Sequence, residues 1–327
     1  MWHWRTGFQH DEKTGGLRLL PDLAPLIQRI LLVVNPKSRR GLRHRAKALH
    51  ALVDANVEVR EVLTSHPGHA RDVLRAFNEV WDAVFVLGGD GTVSEVVGAM
   101  AHSGVPIGVL PGGTGNLVAS VLGVPRNITS AVRAVLTGER RTFDLGRLPD
   151  GRYFTFAAGV GVDVAMVQRT SIGGKRHLGM VSYAMTATRA AFRGDMINIT
   201  VDVDGKPIKA RAVLAMVANA GSILGGRFSI GPDVRPDDGE LDLCIYLPQH
   251  PREVFAVVWK LLRRDFRPDP LMQFVRGRTF RLESESPVPV QADGDIVGET
   301  PIVITVAPKA VEFLVPALSS RLISGNW

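Results

Sequence analysis

Apolar runs and amphipathic stretches alternate along the first half of the chain. Ile30–Val34 is continuously apolar, which is typical of a parallel strand buried on both faces. Arg43–Ala55 has helical spacing instead, and Ala46, Leu49 and Val53 are predicted to share its buried face. The same reasoning predicts strands at Val57–Leu63, Ala83–Leu87 and Val105–Leu110, and helices at Gly68–Val80, Thr92–His102 and Gly115–Leu122. This alternation with short turns predicts a doubly wound parallel sheet.

The pattern changes near Asp144, where strand-like runs begin to follow one another. Seven runs are predicted to be strands: Tyr153–Ala158, Ile197–Val203, Ala210–Val217, Leu241–Leu247, Thr279–Glu283, Val288–Ala292 and Ile302–Ala307. Asp204-Gly205 is typical of a hairpin turn. Helices are predicted at Leu178–Phe192 and Arg252–Phe266.

Two domains follow from this change of pattern. We predict an α/β domain with a doubly wound parallel sheet at 27–146, and a mostly antiparallel, β-sandwich-like domain at 147–310. The last segment, about 311–327, is expected to pack back on the first domain. A length of 327 residues also exceeds what one compact core usually holds.

Composition narrows the class of protein. A net charge of +7 favours anionic partners, but no basic-aromatic repeat suggests a nucleic-acid platform, so no nucleic acid is expected. Cys244 is the single cysteine, which excludes an internal disulfide and a cysteine-based zinc cluster. No apolar run reaches the roughly 20 residues of a spanning helix. We therefore expect a cytoplasmic protein.

Two glycine-rich turns follow consecutive predicted strands. Gly88-Gly89-Asp90-Gly91-Thr92 leads into a helix, whose free amides and dipole suit a phosphate group. Thr92 is predicted to cap that helix or to bond a phosphate oxygen, with Glu95 completing a capping box. Pro111–Asn116 reads Pro-Gly-Gly-Thr-Gly-Asn and follows the next strand. Both turns lie at the same edge of the predicted sheet and can face one ligand, although neither matches a Walker A loop or a dinucleotide fingerprint.

Charged side chains lie close to these turns. The loop Asn35–Gly41 carries Lys37, Arg39 and Arg40, which either meet phosphate or form a solvated basic loop. Asp90 would repel a triphosphate unless Mg²⁺ lies between them or unless its carboxylate accepts backbone hydrogen bonds that shape the loop.

Carboxylates of the second half form three groups. Asp293-Gly294-Asp295 ends a strand, and is either an ordinary turn or a source of a general base. The segment Arg235–Asp242 is either a solvated acidic turn or a site for Mg²⁺ or Ca²⁺, which prefer oxygen ligands. Asp163 either contacts an acceptor or is a satisfied buried carboxylate.

The motifs taken together resemble the nucleotide site of the diacylglycerol kinase catalytic-domain family, over about Ile30 to Val315. The family includes soluble bacterial diacylglycerol kinases, sphingosine kinases and ceramide kinases, and its Gly-Gly-Asp-Gly-Thr signature is shared with NAD kinases. The resemblance assigns ATP to Asn35, Pro36, Lys37, Ser38, Arg39, Thr64, Gly88, Gly89, Asp90, Gly91, Thr92, Glu95, Gly113, Thr114 and Asn116. Arg39 stands where the family usually has glycine.

The same resemblance implies roles for the carboxylates. The roles are catalytic for Asp90, Asp293 and Asp295, acceptor-binding for Asp163, and structural Mg²⁺ ligation by the Asp238 carboxylate with the carbonyls of Arg235 and Glu240. Asp295 replaces the usual glutamate of the family's Asp-Gly-Glu, so the base is assigned to the pair Asp293 and Asp295 without choosing between them.

The expected function is that of an ATP- and Mg²⁺-dependent kinase acting on a hydroxyl of diacylglycerol or a related lipid at a membrane surface. A NAD kinase is an alternative, as is a non-catalytic nucleotide- or lipid-binding regulator, which Arg39 and Asp295 favour. Family members often dimerise, which leaves a homodimer open. Val254–Leu262, with Trp259 and a basic end, is predicted either to lie on an anionic membrane or to pack in the core.

Overall fold

The computed structural model describes residues 8–10, 17–19, 27–76, 79–161, 196–223 and 228–317. The helices in these ranges are α1 (Gly41–Val53), α2 (His69–Ala76), α3 (Asp90–Met100), α4 (Leu117–Val121), α5 (Ile128–Leu136) and α6 (Pro251–Arg263). The strands are β1 (Phe8–His10), β2 (Leu17–Leu19), β3 (Arg29–Val34), β4 (Glu58–Leu63), β5 (Ala83–Gly88), β6 (Ile107–Pro111), β7 (Glu139–Arg147), β8 (Tyr153–Phe154), β9 (Ala157–Gly161), β10 (Ile197–Val203), β11 (Lys206–Ala212), β12 (Leu214–Ala218), β13 (Ser222–Ile223), β14 (Phe228–Ser229), β15 (Leu241–Tyr246), β16 (Met272–Gly277), β17 (Thr279–Ser284), β18 (Pro289–Ala292), β19 (Asp295–Glu299) and β20 (Ile302–Val315). No helix in the described part of the chain is both long and apolar enough to cross a membrane.

The first half is an α/β domain whose strands β4, β3, β5 and β6 are parallel neighbours, as predicted. The apolar run of β3 is fully buried, as its continuous pattern indicates. The buried face of α1 differs from the predicted one: Ala48, Ala51 and Leu52 are buried, whereas Val53 is 63% exposed. The helix begins at Gly41, which packs so closely on Asn35 that a methyl group there would lie 2.1 Å from the Asn35 carbonyl oxygen.

The second half is an antiparallel β-sandwich, also as predicted. One layer is the six-stranded sheet β16-β15-β12-β9-β18-β19, and the other contains β11, β10 and β17. Apolar side chains of both layers form one buried cluster between them, including Leu243 and Ile245 of β15 and Phe280 and Leu282 of β17. The β10–β11 hairpin turns at Asp204 and Gly205, both with positive φ. Five strands from residue 139 onwards were not predicted: β7, β13, β14, β16 and β19.

Strand β20 connects the two halves. It extends eight residues beyond its predicted end at Ala307 and reaches Val315. It pairs antiparallel with β17 and β7, and Phe313 pairs parallel with Ile107 of β6. The parallel strands and one layer of the sandwich are therefore a single ten-stranded sheet, in the order β11-β10-β17-β20-β6-β5-β3-β4, with β7 paired to β20 and β8 paired to β7.

Candidate functional site

Three turns meet at the carboxyl ends of β3, β5 and β6. The backbone N–H of Asn35 donates to the Leu87 carbonyl over 3.0 Å, and that of Arg40 donates to the Gly112 carbonyl over 3.0 Å. The Gly112 N–H in turn donates to the Gly88 carbonyl over 2.9 Å. The loop at Asn35 and the two glycine turns therefore form one continuous surface, as expected for consecutive parallel strands.

Close packing explains several glycines of the two turns. A methyl group on Gly113 would lie 2.5 Å from the Gly89 Cα, and one on Gly112 would lie 2.9 Å from the Gly88 nitrogen. Gly112 and Gly113 do not have a positive φ, so glycine is needed at both because their backbone packs against the backbone of the other turn. At Gly88 an added methyl group would instead lie 2.8 Å from the Thr92 Cβ. Gly91 differs, because a methyl group there would meet nothing within 4 Å.

The predicted capping box at Thr92 is wrong. Helix α3 begins two residues earlier, at Asp90, with Gly89 as its N-cap and no side-chain capping bond. Thr92 thus lies inside the helix and is buried, and its hydroxyl accepts a hydrogen bond from Asn35 Nδ2 over 2.8 Å. Glu95 lies on the face towards α2, where its Oε1 accepts from the Gly68 N–H over 2.8 Å. Thr92 and Glu95 therefore bond α3 to the loop at Asn35 and to the turn at Gly68, and neither caps α3.

Asp90 and Asn116 shape the second glycine turn. Asp90 Oδ1 accepts the Leu117 N–H, at the start of α4, over 2.5 Å. Asn116 has a φ of 51°, and its side chain accepts from the Gly113 N–H and donates to the Gly113 carbonyl, over 2.8 and 3.0 Å. The sequence left two roles open for Asp90, facing Mg²⁺ or shaping the loop through backbone hydrogen bonds. The bond from the Leu117 N–H to Asp90 favours the second role.

The remaining predicted nucleotide residues lie around these turns. The Ser38 hydroxyl donates to the Asn35 carbonyl over 2.8 Å, and Lys37 Nζ donates to the Ser65 carbonyl over 3.0 Å. Thr64 is buried at the end of β4, and its N–H donates to the Val34 carbonyl. Pro36 is half-buried, whereas Arg39 and Thr114 are exposed on the surface of their loops.

Asp293 is held by five donors. Its Oδ2 accepts from the Thr155 N–H and hydroxyl over 2.7 and 2.8 Å and from the Ser94 hydroxyl over 3.3 Å. Its Oδ1 accepts from the N–H groups of Phe156 and Ala157 over 2.9 and 3.3 Å. Burial raises the pKa of the Asp293 carboxyl above its ordinary value, and the bonds from Thr155 and Phe156 oppose that rise.

Ser94 connects the two predicted catalytic regions. It belongs to α3, the helix that begins at the first glycine turn, and its bond to Asp293 brings the Asp293–Asp295 turn against that helix. The Asp295 side chain is exposed and makes no hydrogen bond or ion pair with the described part of the chain. Sequence reasoning missed Ser94 and Thr155, since isolated hydroxyl residues in a helix and near a strand carry no distinctive pattern.

The acidic turn surrounds an arginine that the sequence did not single out. The Arg276 guanidinium lies 3.4 Å from Asp238, 3.9 Å from Glu240 and 3.3 Å from Asp242. Burial raises the pKa of Asp238, opposed by the Glu240 N–H and by Arg276, and raises that of Asp242 to about 6. The Arg235 side chain points to Asp237, over 3.2 Å.

This turn is chemically suited to a cation. Oδ2 of Asp238 and Oδ2 of Asp242 are buried without a hydrogen-bond donor, which is costly for carboxylate oxygens. Among the described residues, the Arg276 guanidinium, at 3.4 Å, is the one cationic group paired with Asp238 Oδ2. Within the described ranges no three His, Cys, Asp or Glu side chains are grouped to hold a metal, so a site here depends on backbone carbonyls as well. Asp163 and the predicted helix Leu178–Phe192 lie outside the described residues.

Comparisons with known proteins agree with these features. The family model described as the diacylglycerol kinase catalytic domain matches residues 29–148, and the one described as the YegS C-terminal NAD kinase beta sandwich-like domain matches residues 157–315. A Staphylococcus haemolyticus protein named as a putative lipid kinase is 30% identical over 240 residues, which are 71% of this chain and 76% of that protein. A Staphylococcus aureus protein with the same description is 29% identical, over 71% and 77% of the two chains.

Solved structures show the same similarity in three dimensions. A crystal structure from Bacillus anthracis, described as a putative diacylglycerol kinase, superposes with a TM-score of 0.76 at 26% identity, over 89% of this chain and 98% of that one. A second structure from the same organism gives a TM-score of 0.74 at 26% identity, over 88% and 97%. The motifs, the two-domain fold and these relatives lead to one conclusion: the chain belongs to the diacylglycerol kinase catalytic-domain family.

Proposed function

We propose that the protein transfers the γ-phosphoryl group of ATP to a hydroxyl of diacylglycerol or a related lipid. The observation that carries this proposal is the bond between Ser94 and Asp293, which brings an exposed carboxylate, Asp295, to the helix that starts at the glycine turn. Phosphoryl transfer needs a phosphate cradle and a base close together, and this contact supports that arrangement.

The three turns are the proposed nucleotide site. Backbone amides at the start of α3 and the exposed side chains of Lys37, Arg39 and Thr114 are the proposed donors to phosphate oxygens. Asn35 and Asp90 hold the turns in shape through their bonds to Thr92 and Leu117. A rigid cradle of this kind orients the triphosphate before the reaction.

Asp295 is the proposed general base, and Asp293 is the proposed positioning residue. Both oxygens of Asp293 are engaged by donors, which leaves little capacity to accept a proton from a substrate. Asp295 is exposed and takes the proton as the acceptor oxygen bonds to the γ-phosphorus and the bond to the β-phosphate oxygen breaks, leaving ADP.

Mg²⁺ is the proposed metal. Bound with the nucleotide, it supplies charge neutralisation to the triphosphate. A structural Mg²⁺ is proposed for the acidic turn, held by the Asp238 carboxylate and the carbonyls of Arg235 and Glu240. Oδ2 of Asp238 is buried and has no hydrogen-bond donor, which supports this assignment, and the metal would share this oxygen with the Arg276 guanidinium 3.4 Å away.

The test is transfer of labelled γ-phosphate from ATP into lipids in mixed lipid–detergent micelles, with NAD as a parallel acceptor. The protein, Asp295→Asn and Asp295→Glu are compared, with Gly98→Ala as a control on the same helix away from the turn. We expect labelled lipid, loss of label with asparagine and retention with glutamate. Label in NAD alone would refute the lipid acceptor, and no label despite intact ATP binding would refute the kinase. Full activity of Asp295→Asn would refute the assigned base.

A further inference from the structure

Helix α6 has two apolar faces. Val257 and Leu261 pack against the outer side of the six-stranded sheet, and Val254 is also buried. A second set is exposed: Phe255 (64%), Trp259 (59%) and Leu262 (47%). At about 100° per residue, these three side chains fall within a stripe roughly 60° wide on the side away from the core. A helix on the surface of a soluble protein usually has polar residues there.

Basic residues border this exposed face. Arg252 and Arg263 are exposed and lie on the same side of the stripe, and the Arg263 guanidinium lies 5.2 Å from the centroid of the Trp259 ring. The segment 251–267 carries five Lys and Arg side chains against two acidic ones.

The acidic groups nearby are already engaged. Glu253 accepts from the Gln249 and His250 N–H groups, and Asp265 pairs with Arg267 over 2.7 Å. Asp269 pairs with Lys260 over 2.6 Å. In the described part of the chain no acidic side chain forms an ion pair with Arg252 or Arg263, so the border of the stripe presents positive charge outward.

We propose that the face of Phe255, Trp259 and Leu262 is the surface on which the protein docks to an anionic lipid bilayer. Tryptophan prefers the boundary between headgroups and acyl chains, and arginines attract the negative surface of such a bilayer. A second copy is a poor match, because a two-fold contact through this face would bring the arginines of both copies together. The inference rests on the proposed function only in that a lipid acceptor would lie in the docked bilayer.

The test is co-flotation of the full chain with vesicles, without ATP, so that it does not depend on catalysis. Vesicles of phosphatidylcholine alone are compared with phosphatidylcholine containing phosphatidylglycerol. We expect binding to the anionic vesicles that weakens with salt, by at least about tenfold in Phe255→Ser/Trp259→Ser, and by about fivefold for each of Arg252→Gln and Arg263→Gln. Val53→Ser, an exposed apolar change on α1, and Arg133→Gln, an exposed basic change on α5, are the matched controls and should bind like the unchanged protein.

Three results would overturn the proposal. The unchanged protein could fail to bind anionic vesicles, or the double variant could bind as well as Val53→Ser while keeping its melting temperature. The protein could also self-associate without lipid and become monomeric in the double variant, which would identify a second copy as the occupant. Transfer to a short-chain acceptor dissolved as monomers should be unchanged in the double variant, so a failure of docking is distinguishable from a failure of the kinase.

Discussion

Replacing Gly113 by alanine tests whether the two glycine turns are packed backbone to backbone. The added Cβ would lie 2.5 Å from the Gly89 Cα, whereas two such carbons normally approach to about 3.5–4.0 Å. The turns must therefore separate by about 1 Å, and neither side of the contact is a flexible side chain that can turn away. Overpacking of this kind costs about 1–3 kcal/mol of the free energy of unfolding.

Alanine substitutions at two glycines of α3 separate the steric effect on stability from an effect on ATP binding. Gly91 and Gly98 lie in the helix with nothing within 4 Å of an added methyl group, so alanine should raise the free energy of unfolding at each by about 0.5–1 kcal/mol. Gly91→Ala should nevertheless weaken ATP binding, because the methyl group lies at the proposed phosphate cradle. Gly98→Ala should leave it unchanged.

Urea unfolding and ATP binding of the three variants form the assay. We expect Gly113→Ala to unfold at a lower urea concentration and to bind ATP poorly, while both helix variants unfold later. An unfolding midpoint of Gly113→Ala equal to that of the unchanged protein would refute the close contact between the turns. Strong ATP binding by Gly91→Ala would refute the position of the cradle.

Three further predictions concern the carboxylates and their partners. Asp295→Asn should lower the rate of transfer by about 100-fold or more with an unchanged urea midpoint. Asp293→Asn should lower the free energy of unfolding by about 2 kcal/mol, because an amide cannot accept from all five donors. Equal urea midpoints for the two variants would contradict the positioning role of Asp293. Ser94→Ala should cost about 1 kcal/mol and slow transfer without changing the dissociation constant of ATP, and an altered ATP affinity alone would contradict this. Adding Mg²⁺ at about 100 times its dissociation constant should stabilise the protein by about 2.7 kcal/mol in thermal unfolding, and an equal gain in Asp238→Asn would argue against the acidic turn as the site.

Much of the fold could be predicted from the sequence, because a strand that is buried on both faces has a continuous apolar run. The run Ile30–Val34 and the strand–helix alternation around it predicted the parallel sheet, and the Asp204-Gly205 turn predicted its hairpin. The start of α3 was misplaced because a helix beginning at Asp90 shows no capping side chain. The buried face of α1 was also misjudged, since helical spacing alone does not determine which apolar side chains of a helix face the sheet.

The candidate site was predictable in its motifs and not in its contacts. The glycine turns and Asp293 stand out as short patterns, and the order of the strands brings the turns to one edge. Ser94, Thr155 and Arg276 do not stand out, since each acquires its role from a residue far away in the chain. The Ser94–Asp293 pair depends on how the two domains join, and the Thr155 and Arg276 pairs depend on how the strands of the sandwich are arranged, neither of which a local pattern encodes.

The position of β20 has a consequence for how the protein is made. Most of the first domain precedes the sandwich in the chain, yet its core includes Phe313, Leu314 and Val315, which follow the sandwich and are synthesised after it. A domain formed by one continuous segment can fold while the residues that follow it are still being translated. Here β3 to β6 are synthesised before β20, so the side of β6 that pairs with β20 stays unpaired until β20 has been made. Chains truncated before Ile302 should therefore be captured by chaperones or degraded, even though they contain every nucleotide motif.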